Sequence, residues 1–106
     1  MLNIAVDAMG GDAAPKVIVE GAADALETLT DGDTISLVGE TEQVRTELER
    51  LDMASEERLQ LVHASETVTM GEAPAKALRS KKNSSIAVGT DLTKKGEADA
   101  FVSAGN

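Results

Sequence analysis

Leu2-Asn3-Ile4-Ala5-Val6-Asp7-Ala8, followed by Met9-Gly10-Gly11-Asp12, opens the chain with a short apolar run that gives way to a glycine pair. A run of that length bounded by turn residues reads as a strand over residues 2–8, and the glycines as the turn that leaves it. Pro15 fits the first turn of a following helix. Ile18, Ala22, Leu26 and Leu29 then recur at helical spacing as one buried stripe that ends before Asp31-Gly32. Strand, glycine turn and helix together form the unit from which parallel α/β sheets are assembled.

The same plan recurs along the chain. Thr34 to Val38 is a β-branched and apolar strand closed by Gly39, and Val44, Leu48 and Leu51 line one face of the charged helix after it. Leu59 to His63 gives a third strand. Residues 64–73 show no clear period, and Pro74 opens a short helix through Arg79, an excursion between strand and helix. Asn83, Ser84 and Ser85 can each cap the next helix, which carries Ile86, Ala87, Val88 and Leu92, places Lys94 and Lys95 in its last turn and meets Gly96. A fourth strand, Asp99 to Val102, delivers Ser103-Ala104-Gly105-Asn106. The expected fold is therefore α/β, a parallel sheet with helices on its faces and ligands at the carboxyl ends of its strands. No helix covers the last strand, so residues 1–106 are expected to be the N-terminal α/β segment of a larger catalytic domain.

Composition narrows the chemistry. The chain has 106 residues, of which 42% are hydrophobic, enough for one small core, and Phe101 is its single aromatic. With no cysteine, disulfides, thiolate zinc sites and cysteine nucleophiles are excluded within these residues. Met1 runs straight into an apolar strand without a basic leader, and no apolar run reaches membrane-spanning length, so a cytoplasmic location is expected. A net charge of −9 opposes non-specific nucleic-acid binding and polybasic membrane contact. That charge is unevenly placed: residues 1–75 carry 16 acids and 4 bases, whereas residues 76–106 carry 3 acids and 6 bases. Lys76, Arg79, Lys81 and Lys82 form the local cluster that could meet an anion, or simply a solvated helix end.

Three short blocks carry candidate chemistry. Asp7-Ala8-Met9-Gly10-Gly11-Asp12 places paired glycines at a strand end, where backbone N–H groups can approach a ligand and the next helix adds its dipole. It is neither a Walker loop nor a G-x-G-x-x-G fingerprint, and a plain tight turn with Asp12 near the helix cap would look the same. Asp7 and Asp12 would repel a phosphate lying between them, so they orient donors or bind a neutral part of a substrate. No further acid cluster has ligand spacing, and no metal is expected. Lys81-Lys82-Asn83-Ser84-Ser85 joins charge, hydroxyls and a helix start, the groups phosphate favours, while capping by Asn83 or a serine explains the hydroxyls but not the adjacent lysines. Ser103-Ala104-Gly105-Asn106 permits close backbone approach and offers an amide, or is an ordinary strand-end turn. His63, the only histidine, falls near a strand end as an outside candidate for a general acid.

Together these blocks resemble the PlsX family of phosphate acyltransferases. The resemblance rests on Ile4-Ala5-Val6-Asp7-Ala8-Met9-Gly10-Gly11-Asp12 with Pro15, on Leu37-Val38-Gly39, on Lys81-Lys82-Asn83-Ser84-Ser85, and on Ala100-Phe101-Val102-Ser103-Ala104-Gly105-Asn106, in the family's order across the whole chain. It implies that phosphate attacks a fatty acyl thioester on acyl carrier protein to give an acyl phosphate for phospholipid synthesis, without a cofactor. It also implies a larger, homodimeric protein with an α/β/α sandwich like that of isocitrate and isopropylmalate dehydrogenases. Any peripheral membrane association would lie in the part beyond Asn106, where family members continue. On this resemblance Lys81, Lys82, Asn83, Ser84 and Ser85 hold phosphate. Asp7, Gly10, Gly11, Asp12, Ser103, Gly105 and Asn106 form the catalytic set, the glycine turns offering donors near the thioester. Phosphate is anionic at neutral pH, so positioning and oxyanion stabilisation suffice without a strong base or covalent nucleophile.

Two other readings fit the same residues. A relative of shared fold could perform nicotinamide-dependent oxidation or acetyl transfer, the former needing a metal and a cofactor. Alternatively, the chain could be a non-catalytic module that binds an anion or a partner. Docking an acidic carrier protein would need a basic patch, and residues 76–82 are the candidate.

Overall fold

The computed structural model describes residues 1–66 and 81–104. Within them, four strands, β1 (Asn3–Asp7), β2 (Thr34–Gly39), β3 (Leu59–His63) and β4 (Ala100–Val102), form one sheet in the order β3-β2-β1-β4. All neighbours are parallel: Val6 of β1 lies opposite Leu37 of β2 on one side and Val102 of β4 on the other. Three helices are present among the described residues, α1 (Lys16–Ala25), α2 (Thr41–Arg50) and α3 (Ser85–Lys94).

The two faces of the sheet are covered by different helices. Ile35, Leu37 and Leu59 pack with Val19, Ala22 and Leu26 on the α1 side and with Val44 and Leu48 of α2. Ala5 and Val38 meet Val88 and Leu92 of α3 on the other face. Leu37 and Val38 are consecutive and both fully buried, which alternation allows only when both faces are covered. Each such side chain contributes about 1.5–3 kcal/mol by leaving water. The arrangement follows from right-handed crossovers: β1→β2→β3 moves one way across the sheet and puts α1 and α2 on one face. The return from β3 past β1 to β4 puts α3 on the opposite one.

The amino ends of the strands are tied by side-chain bonds. Asn3 Oδ1 accepts from Thr34 Oγ1 and Ser36 Oγ, and Asp33 accepts from the Leu2 and Thr30 backbone N–H groups and from Thr30 Oγ1. Arg58 donates to the carbonyls of Asp33 and Thr30. Asp99, expected in the last strand, instead exchanges two bonds with the Asn3 backbone just before β4 begins.

Among the described residues the expected strands and helices appear, with a difference at the start of the buried row of α1. Helix α1 ends at Ala25, and residues 26–29 continue as turns. Val19, absent from the expected stripe, is fully buried, while Ile18 and Leu29 are half-buried. The buried row is Val19, Ala22 and Leu26, at i, i+3 and i+7; it shares Ala22 and Leu26 with the expected stripe and begins at Val19 in place of Ile18. Ile18 instead lines an apolar groove of about 300 Å³ with Ile4, Val6, Val17 and Val102. The short helix expected from Pro74 to Arg79, with Lys76, lies outside the described residues.

Candidate functional site

Beyond the carboxyl ends of β1 and β4 lies the point where the strand order reverses, the position at which open parallel sheets hold ligands. The exits of β1 and β4, Asp7 to Gly11 and Ser103 to Ala104, lie there. Asp7 ends β1 and is buried, with 2% of its surface exposed. Its Oδ1 accepts from the Met9 N–H at 3.0 Å, which folds the chain into the turn, and its Oδ2 accepts from Ser103 Oγ at 2.8 Å. Ser103 follows β4, so one carboxylate joins two strand exits 96 residues apart in sequence.

Gly10 is buried and Gly11 is half-buried. Gly11 has φ +91°, a conformation open to glycine and strained for other residues, and a β-carbon there would lie 3.5 Å from Ala104 Cβ. Gly11 and Ala104, on the two strand exits, are thus close neighbours. Asp12 is exposed and does not cap α1, whose N-cap is Pro15 with no side-chain bond. Gly105 and Asn106 lie outside the described residues.

The second block sits at the start of α3. Ser84 is the N-cap: it is fully buried, and its Oγ accepts from the Ala87 N–H at 3.1 Å. Ser85 is buried as well. Of the three possible caps, Ser84 takes the role because its extended backbone, φ −73° and ψ 158°, aims the hydroxyl along the helix axis. Lys82 and Asn83 are exposed and line a cleft of about 610 Å³ that continues along α3 past Thr90, Asp91 and Lys94. Lys81 is half-buried, its carbonyl accepting from the Ser84 N–H.

Glu66 anchors this start to the exit of β3. Its N–H donates to the Asn83 carbonyl, its Oε1 accepts from the Asn83 N–H, and it pairs with Ser84 in a parallel bridge. Nothing in the sequence marked Glu66, since an acid in an aperiodic loop carries no pattern. His63, at the end of β3, is exposed, and its Nδ1 lies 2.8 Å from Thr41 Oγ1 and 3.3 Å from the Thr41 N–H at the start of α2. It therefore braces α2 and is not joined to the Asp7–Ser103 pair by any of these bonds. Among the described residues no three His, Cys, Asp or Glu side chains are grouped as metal ligands, and no helix is long and apolar enough to cross a membrane.

Comparison with known proteins decides the family. A family model described as fatty acid synthesis protein matches residues 2–106. The chain belongs to the fatty acid synthesis protein family. Members resembling it are named phosphate acyltransferase: that of Desulforamulus reducens is 50% identical over 106 residues, covering 100% of this chain and 31% of the relative. Those of Methylococcus capsulatus and Salinibacter ruber are 49% and 51% identical, over 100% and 98% of this chain and 31% of each relative. The family resemblance read from the opening and terminal blocks is borne out. The chain spans about a third of the length of these family members.

Proposed function

We propose that residues 1–106 are the N-terminal α/β segment of a phosphate acyltransferase that moves a fatty acyl group from acyl carrier protein to inorganic phosphate, giving acyl phosphate for phospholipid synthesis. The observation that carries this reading is the union of two glycine-bearing strand exits, through Asp7 and Ser103, at the switch point of the sheet. The relatives' name, phosphate acyltransferase, supports acyl transfer to phosphate.

In this reading Gly10 and Gly11 direct backbone N–H groups at the thioester oxygen as it gains charge, a role the sequence also offers to Gly105 and Asn106. Lys81, Lys82 and Asn83 face the phosphate. Ser84 and Ser85, both buried, serve by fixing the helix start whose N–H groups complete the anion site. The whole enzyme would adopt an α/β/α sandwich of the isocitrate and isopropylmalate dehydrogenase type, act as a cytoplasmic homodimer and need no cofactor.

The test is steady-state kinetics of the full-length chain with varied phosphate. Lys82→Ala is expected to raise the phosphate KM about tenfold, the effect of losing roughly 1.4 kcal/mol of binding, with an unchanged melting temperature. Unchanged phosphate KM and kcat would remove Lys82 from the phosphate site.

A further inference from the structure

The direction of the hydrogen bond between Ser103 and Asp7 fixes what the serine can do. An ionised carboxylate only accepts, so at 2.8 Å the Ser103 hydroxyl gives its single proton to Asp7 Oδ2. Any further hydrogen bond at Ser103 Oγ must then be one in which the oxygen accepts. Among the described residues the Asp7 carboxylate is bonded by a backbone N–H and by this hydroxyl, neither of them a cation. Ser103 is exposed at the strand exit while Asp7 behind it is buried. The pair is thus a one-way path from the site surface to a shielded carboxylate, beside Gly11 and Ala104.

We propose that Asp7 and Ser103 form a proton relay for hydrogen phosphate, with Ser103 the residue that touches substrate and Asp7 the positioning residue behind it. This rests on the acyl-transfer reading and deepens it. Hydrogen phosphate carries one proton that its acyl product lacks. As a phosphate oxygen forms its bond to the thioester carbonyl carbon, Ser103 Oγ accepts that proton and passes its own to Asp7. When the carbon–sulfur bond breaks, the electron pair leaves on sulfur, and the proton returns from Asp7 through Ser103 to the thiolate. Hydrogen phosphate and thioester become acyl phosphate and thiol with no other reactant. A relay of this kind also selects against oxyanions that have no proton to give.

The experiment is kinetics of the full-length chain, wild type against Ser103→Ala, Ser103→Thr and Asp7→Asn, with melting temperatures alongside. The relay predicts that Ser103→Ala lowers kcat about 10²-fold or more while the phosphate KM changes by less than about threefold, and that Ser103→Thr, which keeps a hydroxyl, recovers most of the loss. Asp7→Asn has one acceptor oxygen for the two bonds that the carboxylate takes from the Met9 N–H and Ser103 Oγ and cannot take the proton, and is expected to lower kcat at least as far as Ser103→Ala. Because Ser103 is exposed, its alanine variant tests the idea even if Asp7→Asn fails to fold. A Ser103→Ala enzyme with wild-type kcat, or a loss confined to KM, overturns the relay and leaves acyl transfer standing. A folded wild-type chain that makes no acyl phosphate overturns both.

Discussion

Gly89 of α3 lies directly against the ring of Phe101 on β4: a β-carbon on Gly89 would overlap the ring edge and come within 2.6 Å of Phe101 Cζ. The helix packs closely on the sheet because one partner has no side chain and the other is the chain's only aromatic. Gly89→Ala gains about 1 kcal/mol of helix propensity but forces the ring or the helix to move, at about 1–3 kcal/mol. Net destabilisation is expected in urea denaturation. Adding Phe101→Leu to Gly89→Ala should recover stability relative to the sum of the single changes, a coupling that independent sites would not show.

Ser84→Ala should cost about 0.5–2 kcal/mol, the worth of an N-cap, and Ser84→Asp, which keeps an acceptor, should cost less. A thermal melt in which Ser84→Ala costs nothing would mean that the bond from the Ala87 N–H to Ser84 Oγ does not hold the start of α3.

Leu37 is fully buried at the centre of β2, and Leu37→Ala should cost about 2–5 kcal/mol through lost burial and the cavity left behind. Val102 ends the edge strand with 54% of its surface exposed, and Val102→Ser should stay within about 0.5 kcal/mol. Equal losses at the two sites in denaturant titrations would place the core elsewhere.

Asp33 carries the acid sensitivity of the strand amino ends. The hydrogen bond from the Leu2 N–H, followed by that from the Thr30 hydroxyl, holds its carboxyl below the ordinary value of 3.8. Because the folded pKa is depressed, the stabilisation is fully present above 3.8 and is lost as pH falls below that value through the folded pKa. Wild type should exceed Asp33→Asn in melting temperature at neutral pH, and the gap should narrow only below pH 3.8. A gap that is constant down to the acid limit would contradict the assignment.

The alternation of strands and helices was legible because each strand is a run of β-branched and apolar residues closed by glycine or a polar turn, as Thr34 to Gly39 shows. Strand order was not legible. Nothing in the residues of β4 states that it pairs with β1 rather than β3, since that choice depends on the crossover returning past the first strand. Ala22 and Leu26 were read correctly on the buried face of α1, but its first position fell to Val19 rather than Ile18 because Val17, Ile18 and Val19 are all apolar, and only the sheet beneath decides which is covered. Asp7 and Ser103 were each marked by their motifs, but their bond required the strand order. The block Lys81-Lys82-Asn83-Ser84-Ser85 mixed two environments: Ser84 became the cap and Lys82 stayed at the surface, a division that spacing alone does not reveal.

Acyl transfer to phosphate is tested most directly by incubating the full-length chain with an acylated carrier protein and labelled phosphate, following thioester and acyl phosphate together. The account predicts thioester loss matched one for one by labelled acyl phosphate and abolished when phosphate is omitted. A folded full-length chain that leaves the thioester intact, or cleaves it at the same rate without phosphate, would contradict it.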